Sequence, residues 1–560
     1  MIYTNKQKYD NDNQCQNGGA ILKKLKKQYL FILVLSCLLS FTFFNGLSFG
    51  ERVFEGGTGT KEDPYKIKTQ EQLDNVRNYL DKNFVLVDDI YINKEIDPIG
   101  SKDTPFSGTF EGRDHTILGL KINKKSENKV GLFSVALGGK NQVATIKNLN
   151  IKNAEVIGNN DVAILLGEGI DNVEIENIHI GNSNVEGMDS VSGLIGRATK
   201  NVSLKSNSVE VEIKGEEGLG AMAGFLGESC SIKDCSAKSR VEGIGHIGGF
   251  AGRVYGTIEN SYSNSDVKAV GEDHDASIFA GTLFNSGKIE KCKAVGKAVG
   301  YTNVAGLVGR TLNYYPENIT PPTVKPSPTI KDSFVEADLS GVSIVGGVVG
   351  YAKENTIVEN CYAKVNINFI DSKKEDKNIQ PKNHAGGIIG KADFKVIVKE
   401  SSSIGKIEGD EGLGGIVGCL GKMSTIENSS TAVQILGNGH IGGVVGRCYG
   451  EVTDVKSYSD VKLLGDDHDA AGIAGTLFNS AKIENCEAYG NIKGNENVGG
   501  IVARTLNYYA DPSQAPEKEE TQIIRNCRFF GTVEGKQNVN EIVGKPQKNA
   551  ITSNNHYLGK

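Results

Sequence analysis

The chain has 560 residues, a formal net charge of -6, seventy glycines, twelve prolines and no tryptophan. So small a net charge on so long a chain, with no basic groove in view, excludes a nucleic-acid binder, which concentrates positive charge. A length that ordinarily means several domains is also one that a repeat array, growing in one dimension, reaches as a single body.

Residues 1–50 read as an export signal. Lys23, Lys24, Lys26 and Lys27 precede an apolar run from Tyr29 to Phe44, and Ser48-Phe49-Gly50 offers small residues for cleavage near Gly50. The alternative is an uncleaved signal anchor, because the run is about 16 to 20 residues long. Such an anchor is the one membrane link expected. Val34-Leu35-Ser36-Cys37 is similar to a lipoprotein site, but apolarity continues past Cys37, which argues against lipidation. Cys15 and Cys37 would leave with the leader.

Residues 51–129 differ from the repeats after them and are expected to form a cap with lead-in coils. Thr69 and Gln72 have capping-box spacing, and Leu73, Val76 and Leu80 give the next segment one apolar face. A helix here would plug the end of a repeat core, whose exposed strands otherwise invite pairing.

From residue 130 to 560 a glycine-rich pulse returns, as in Ile247-Gly248-Gly249-Phe250-Ala251-Gly252 and Ile441-Gly442-Gly443-Val444-Val445-Gly446. Its period of roughly 27 to 29 residues predicts a solenoid. We count about fourteen coils, which at about 4.8 Å each make a rod of about 65 Å. Each pulse is followed by a second strand with an apolar residue, small or apolar residues at +3 and +5, and an apolar residue at +9. Ile232/Cys235/Ala237/Val241 and Ile483/Cys486/Ala488/Ile492 fit it, and serine replaces cysteine in Ile258/Ser261/Ser263/Val267. Cysteine here is a small core filler rather than half of a disulfide. Cys486 and Cys527 alone among the template cysteines fall in neighbouring coils and are expected as stacked thiols.

A longer period overlies the first: residues 189–315 recur as 383–509 at an offset of 194 without a gap. Each copy ends in a loop, Tyr314-Tyr315-Pro316 to Thr329 and Tyr508-Tyr509 to Glu520, and a lysine-rich loop runs from Asp371 to His384. Loops of this kind point outward.

The Gly-Gly pulse with its Thr-Ile-Glu-Asn-Cys/Ser strands resembles the GLUG repeat of exported bacterial proteins. The lead-in, Gly57-Thr58-Gly59-Thr60 through Asp63-Pro64-Tyr65, then Pro98-Ile99-Gly100 and Phe106-Ser107-Gly108-Thr109-Phe110, is similar to theirs. The resemblance covers about residues 54 to 560. It implies an all-β fold, a right-handed parallel β-helix secreted or held at the cell surface, and no single activity. GLUG repeats also precede the zinc-dependent immunoglobulin A-cleaving peptidases, whose catalytic domain carries H-E-x-x-H; this sequence has no such motif, so that activity does not carry over.

Two constellations exceed the repeat background, each present twice. His246 before one pulse stands with Glu272-Asp273-His274-Asp275 before the next, and the copy is His440 with Asp466-Asp467-His468-Asp469. Pulse alignment sets His246 beside Asp275, next to His274. Such a corner could hold Ca²⁺ or Zn²⁺ or move a proton, or be a solvated corner hydrogen-bonded along the stack. The second constellation comes after the pulse, at its opposite end: Arg253, Tyr255, Thr282, Leu283, Phe284, Arg310, Leu312, Tyr314 and Tyr315, repeated as Arg447, Tyr449, Thr476, Leu477, Phe478, Arg504, Leu506, Tyr508 and Tyr509. Arginine interleaved with aromatics suits a face for sugar or protein, and equally a packed coil corner under the proline-rich loop.

The expectation is a non-enzymatic surface or matrix rod that binds a host or matrix protein, or a surface polysaccharide, through two like patches about seven coils and about 34 Å apart. One rival is a polysaccharide-active enzyme using the His/Asp corners. Another is a stand-alone relative of the region preceding the immunoglobulin A peptidase domain. Glu259, Glu290, Glu359, Glu427 and Glu484 recur beside a core position and read as outward alternation rather than as a general acid and base.

Overall fold

The second glycine of each pulse faces the opposite wall of its own coil. A Cβ on Gly249 would sit 2.4 Å from the Ser265 Cβ and 2.4 Å from the Ile278 carbonyl oxygen. At the +5 template position Gly387 faces Ser403 and Gly472 faces Ala488 in the same way, while Gly500 meets the Phe529 ring. The glycine that ends the pulse meets backbone. On Gly252 a Cβ would lie 2.4 Å from the Gly218 carbonyl carbon and 2.6 Å from the Gly224 oxygen of the coil before.

The computed structural model describes residues 53–559 except 273, 371–382, 466–467, 510–512 and 514. The segment read as an export signal, Cys15 and Cys37, and most of the lysine-rich loop lie outside the described residues. From Phe54 onward the chain is a parallel β-solenoid of about sixteen turns. In a representative coil the pulse supplies strands Gly245–Gly248 and Ala251–Val254, and Thr257–Glu259 and Tyr262–Ala269 complete the turn. Among the described residues the first halves of the pulses form a 13-stranded sheet and the second halves a 14-stranded sheet, while the remaining strands merge into one of 36 strands. The fourteen coils expected from the pulses are the fourteen strands of the second sheet, and lead-in strands such as Tyr65–Ile67 and Asn83–Leu86 add the extra turns.

Register is unbroken along the pulse. Ile247 pairs with Ala276, Ala276 with Val304, Val304 with Val345 and Val345 with Ala385. All five are fully buried, so each coil covers the apolar surface of the next.

The asparagine of the Ile-Glu-Asn signature turns the corner between the last two strands. Asn260, Asn360, Asn428 and Asn485 have φ between 47° and 55°, a left-handed conformation that asparagine tolerates better than other residues with a side chain. The freed amides run along the stack: Asn260 Nδ2 donates to Asp234 Oδ1 at 2.6 Å and Asn360 Nδ2 to Asp332 Oδ1 at 2.7 Å.

Cysteine and serine alternate at the next position because both reach the carbonyl two residues back. The Cys292 thiol donates to the Glu290 oxygen at 3.2 Å and the Ser261 hydroxyl to the Glu259 oxygen at 2.9 Å. The eight cysteines of the described residues are free and buried, Cys486 and Cys527 in adjoining coils as expected. Burial pushes the Cys292 and Cys361 thiols up to about 12. Iodoacetamide at pH 8 is expected to leave these eight thiols unmodified in the native protein and to label them all after denaturation, read by mass spectrometry of tryptic peptides.

The cap helix is real but short. Thr69 Oγ1 accepts from the Gln72 N–H at 3.3 Å, and Gln72 Oε1 accepts at 2.8 Å from the N–H of Lys68 rather than of Thr69 itself. The α-helix Gln70–Asp74 passes at once into a 3-10 turn, Asn75–Asn78, and Leu73 and Val76 are fully buried over the first coil.

Because the Gly252 contact is with backbone, nothing flexible yields to a methyl group there. Gly252→Ala is expected to destabilise by about 1–3 kcal/mol. Hydrogen exchange should show faster opening of the two coils at residues 217–254 and protection retained beyond residue 400.

Candidate functional site

The close approach enforced by Gly252 and Gly281 brings the outer faces of the two pulse halves together, so the two constellations that the sequence separates form one site. His246 takes a left-handed φ of 51°, which turns its ring toward the next coil. The pairing of Ile247 with Ala276 sets it beside Asp275, and the following strand, Ala280–Phe284, brings Thr282 against both. Arg310 and Asn303 arrive from the coil after that.

Asp275 is fully buried at the centre. Its Oδ1 accepts from Asn303 Nδ2 at 2.9 Å, and its Oδ2 faces Arg310 Nη2 at 3.2 Å and His246 Nδ1 at 3.3 Å. The Thr282 hydroxyl also donates to Oδ2, which leaves the hydroxyl oxygen to accept from His246 Nδ1–H at 2.7 Å. Nε2 of His246 is directed at Glu217 Oε2, 3.7 Å away. The copy repeats this arrangement. Asp469 receives Asn497 Nδ2 at 2.9 Å, Arg504 Nη2 at 2.9 Å and His440 Nδ1 at 3.0 Å, and the Thr476 hydroxyl donates to it as well.

Burial alone would raise the Asp275 carboxyl. The hydrogen bond from His246, the Arg310 guanidinium and the Thr282 hydroxyl outweigh it and hold the group below the ordinary carboxylate range. Asp469 is held low by the same balance. In each copy an arginine stands on the carboxylate where a divalent cation would bind. The second histidine stays apart, with ring centres 6.5 Å from His246 to His274 and 5.8 Å from His440 to His468. Among the described residues no three His, Cys, Asp or Glu side chains converge as metal ligands. Asp273, Asp466 and Asp467 lie outside the described residues.

Arg253 is similarly engaged, with Asp189 Oδ1 at 2.7 Å and Glu217 Oε2 at 2.8 Å; Arg447 pairs with Glu411, and Asn383 stands where the first copy has Asp189. The arginines expected on an open binding face are thus internal links of the stack. The aromatics continue it outward. Tyr255 stacks on Phe284 at 4.4 Å and 6°, and Phe284 meets Tyr314 edge-on at 6.4 Å; Tyr449, Phe478 and Tyr508 repeat both values, with Phe478 to Tyr508 also at 6.4 Å. Phe284 and Phe478 are buried, and burial pushes the phenols of Tyr255 and Tyr449 up to about 12. Tyr314 and Tyr508 are about half exposed, at 50% and 52%. Their backbone N–H groups are fixed at 2.9 Å by Asn285 Oδ1 and Asn479 Oδ1. Tyr315 and Tyr509 are partly buried, and the Tyr509 hydroxyl donates to Glu520 Oε2 at 2.7 Å.

The copies stand six strands apart in the 14-stranded sheet, not seven, so the distance between them is about 29 Å. The sequence reading missed Asn303, Asn497 and Glu217. The two asparagines were findable, since each occupies the same pulse offset in its copy.

No family model matches the chain. Over 92 residues it is 45% identical to a Gly-rich membrane protein of Evansella cellulosilytica, a stretch covering 15% of this chain and 11% of that one. Over 125 residues it is 33% identical to halomucin of Haloquadratum walsbyi, covering 20% of this chain and 1% of that protein. The chain therefore spans about a tenth or less of the length of these relatives. Among solved structures, a Bacteroides ovatus protein assigned as an immunoglobulin A1 protease aligns over 60% of this chain and 87% of its own, at 21% identity and a TM-score of 0.33. An IgA1 protease covers 60% of this chain and 21% of its own at 15% identity and a TM-score of 0.26. Tailspike protein 3 of bacteriophage CBA120 covers 86% and 58% at 10% identity and a TM-score of 0.26.

The charge network has a pH signature. A carboxyl held below its unfolded value of about 3.9 adds stability that is present above that pH and is lost as pH falls through the lower folded value. Asp275→Asn should cost about 3 kcal/mol or more at pH 7, since it leaves Arg310 buried without its counter-charge. It should also flatten the loss of stability below about pH 4. Hydrogen exchange of the peptides covering residues 276–312 at pH 3 and pH 7 measures both effects.

Proposed function

We propose that this chain is an exported surface or matrix protein, a non-enzymatic β-solenoid rod that adheres through two equivalent edges centred on Tyr314 and Tyr508. The observation that carries the reading is their repetition. Two half-exposed tyrosines are held by the same asparagine bond and the same aromatic stack, beside the same charge network. An aromatic ring fixed in place loses little freedom on contact and offers a large apolar area with a polar tip. Two such edges about 29 Å apart on a stiff rod engage a repetitive ligand at high effective concentration. The apolar run from Tyr29 to Phe44 and relatives named as a Gly-rich membrane protein and a halomucin are in keeping with a surface location.

The test is a binding screen of the protein against immobilised host-matrix proteins and glycans, with and without Ca²⁺ and Zn²⁺, scored also for turnover. Saturable binding without turnover is expected. Tyr314→Ala or Tyr508→Ala alone should weaken it several-fold, and the double variant by at least the product, with the far-ultraviolet circular dichroism unchanged. Turnover that vanishes in His246→Ala and His440→Ala would instead favour the polysaccharide-active enzyme.

A further inference from the structure

A second surface, on the opposite wall of the coil, belongs to none of these networks. The outer face of the long strands, such as Ser208–Lys214 and Ser236–Gly243, carries a groove. Between residues 182 and 266 it holds a cavity of about 520 Å³ whose two walls are Glu210 and Lys238 on one side and Glu212 and Arg240 on the other. Val211 and Ser239 lie between them. Register continues the two rows of residues that line the cavity down the solenoid. Lys238 pairs with Asn264, and the line continues through Glu336 and Lys364 to Ile404 and Ala432; Arg240 pairs with Asp266, and its line continues to Lys406 and Gln434.

In the last coils the first wall turns aromatic. Tyr458 stacks on Tyr489 at 4.8 Å and 13°, and Tyr489 on Phe530 at 4.6 Å and 4°. The second wall stays polar: Asn491 Nδ2 donates to Asp460 Oδ1 at 3.1 Å, and Thr532 Oγ1 donates to Asn491 Oδ1 at 2.8 Å. Gly490 and Gly531 lie between them, each buried. Tyr458 is 51% exposed. The core does not need these rings, because the neighbouring residues Ser457, Ala488 and Phe529 already fill the inner face, all of them fully buried.

A strip with an apolar wall, a wall of hydroxyl and amide groups and a glycine floor, repeating at about 4.8 Å along its length, has the chemistry that recognises sugar. Pyranose rings present an apolar face of C–H groups and an edge of hydroxyls, and one coil step is close to the length of one ring in an extended chain. The charges upstream say which kind of glycan. Glu210 and Lys238 pair at 2.6 Å, Glu212 and Arg240 at 3.2 Å, and Glu336 and Lys364 at 2.7 Å. These pairs cancel, and the single charges of the second wall alternate in sign through Asp266, Lys297, Asp338 and Lys406 to Asp460, so the walls hold no cationic surplus for a polyanion and offer donors and acceptors alternately.

We propose that this strip over the last coils binds an uncharged polysaccharide laid along the solenoid axis, with Tyr458, Tyr489 and Phe530 as the apolar row and Asp460, Asn491 and Thr532 meeting the hydroxyls. The site is distinct from the Tyr314 and Tyr508 edges and does not depend on them.

The test is affinity electrophoresis of the full chain in native gels containing hydroxyethylcellulose, barley β-glucan, starch or, as the charged comparison, polygalacturonate. Retardation in at least one neutral gel and none in polygalacturonate is expected. Tyr489→Ala and Tyr458→Ala should each weaken it ten-fold or more, and Asn491→Ala by several-fold. Tyr458 is the safer variant for folding, being half exposed, and circular dichroism checks each protein. No retardation in any neutral gel, retardation in polygalacturonate alone, or neutral-gel retardation that folded Tyr458→Ala and Asn491→Ala leave unchanged would overturn the proposal.

Discussion

The glycine that closes each pulse lets one coil's backbone rest against the backbone of the coil before it, with no room for a Cβ at Gly252, Gly281, Gly446 or Gly475. Much of the rest depends on that contact. With the two pulse halves so close, their outward side chains cannot all reach water, and those that are polar must find partners in the stack. His246, Thr282 and Arg310 therefore converge on Asp275 from three successive coils. The same geometry forces the left-handed backbone at His246 and His440, where most side chains would be strained.

A buried charge cluster of this kind is weak evidence for stability, because desolvation offsets much of the Coulombic gain. Its clearer consequence is register. A slip of one coil would set Arg310 against the ladder position of Arg253 or Thr282 without its carboxylate, and an uncompensated buried guanidinium is costly. Long parallel stacks of similar ladders have many near-equivalent pairings. Two distinctive polar nodes, six coils apart, can lock such a stack in one of them. Each node also carries an aromatic stack to the surface, so the exposed tyrosine edges inherit their positions from the buried part.

The two faces of the solenoid differ in how they treat charge. On the pulse face ionic groups are half-buried and bonded into a fixed net. On the long-strand face Glu, Lys and Arg form exposed pairs between neighbouring coils, each of small energetic weight. What that face keeps is parallel rows of outward side chains whose composition changes along the stack from charged to aromatic. The glutamates of the Ile-Glu-Asn signature behave as the outward alternation predicts: Glu359 lies between Lys331 and Lys399, at 3.4 Å and 3.3 Å, in the two adjoining coils.

The solenoid class, the fourteen pulse coils, the cap helix near Thr69, the buried cysteine ladder and the duplication were legible in the sequence. Each depends on local spacing or on identity between copies, and in a stack every coil repeats its neighbour's environment, so local pattern becomes tertiary position. The pairing of His246 with Asp275 was legible for the same reason. That the His/Asp corner and the Arg/aromatic run form one network was not. Their separation along the chain is real, but the turn at Gly248-Gly249 folds the second strand back against the first, and pulse alignment alone carries no information about that angle. The aromatic wall of Tyr458, Tyr489 and Phe530 was likewise invisible, since its members sit 31 and 41 residues apart across loops of unequal length. The sequence by itself determined which residues stack, because stacking tracks the repeat; only the tertiary structure decided which stacks face each other, because that depends on how sharply each coil bends.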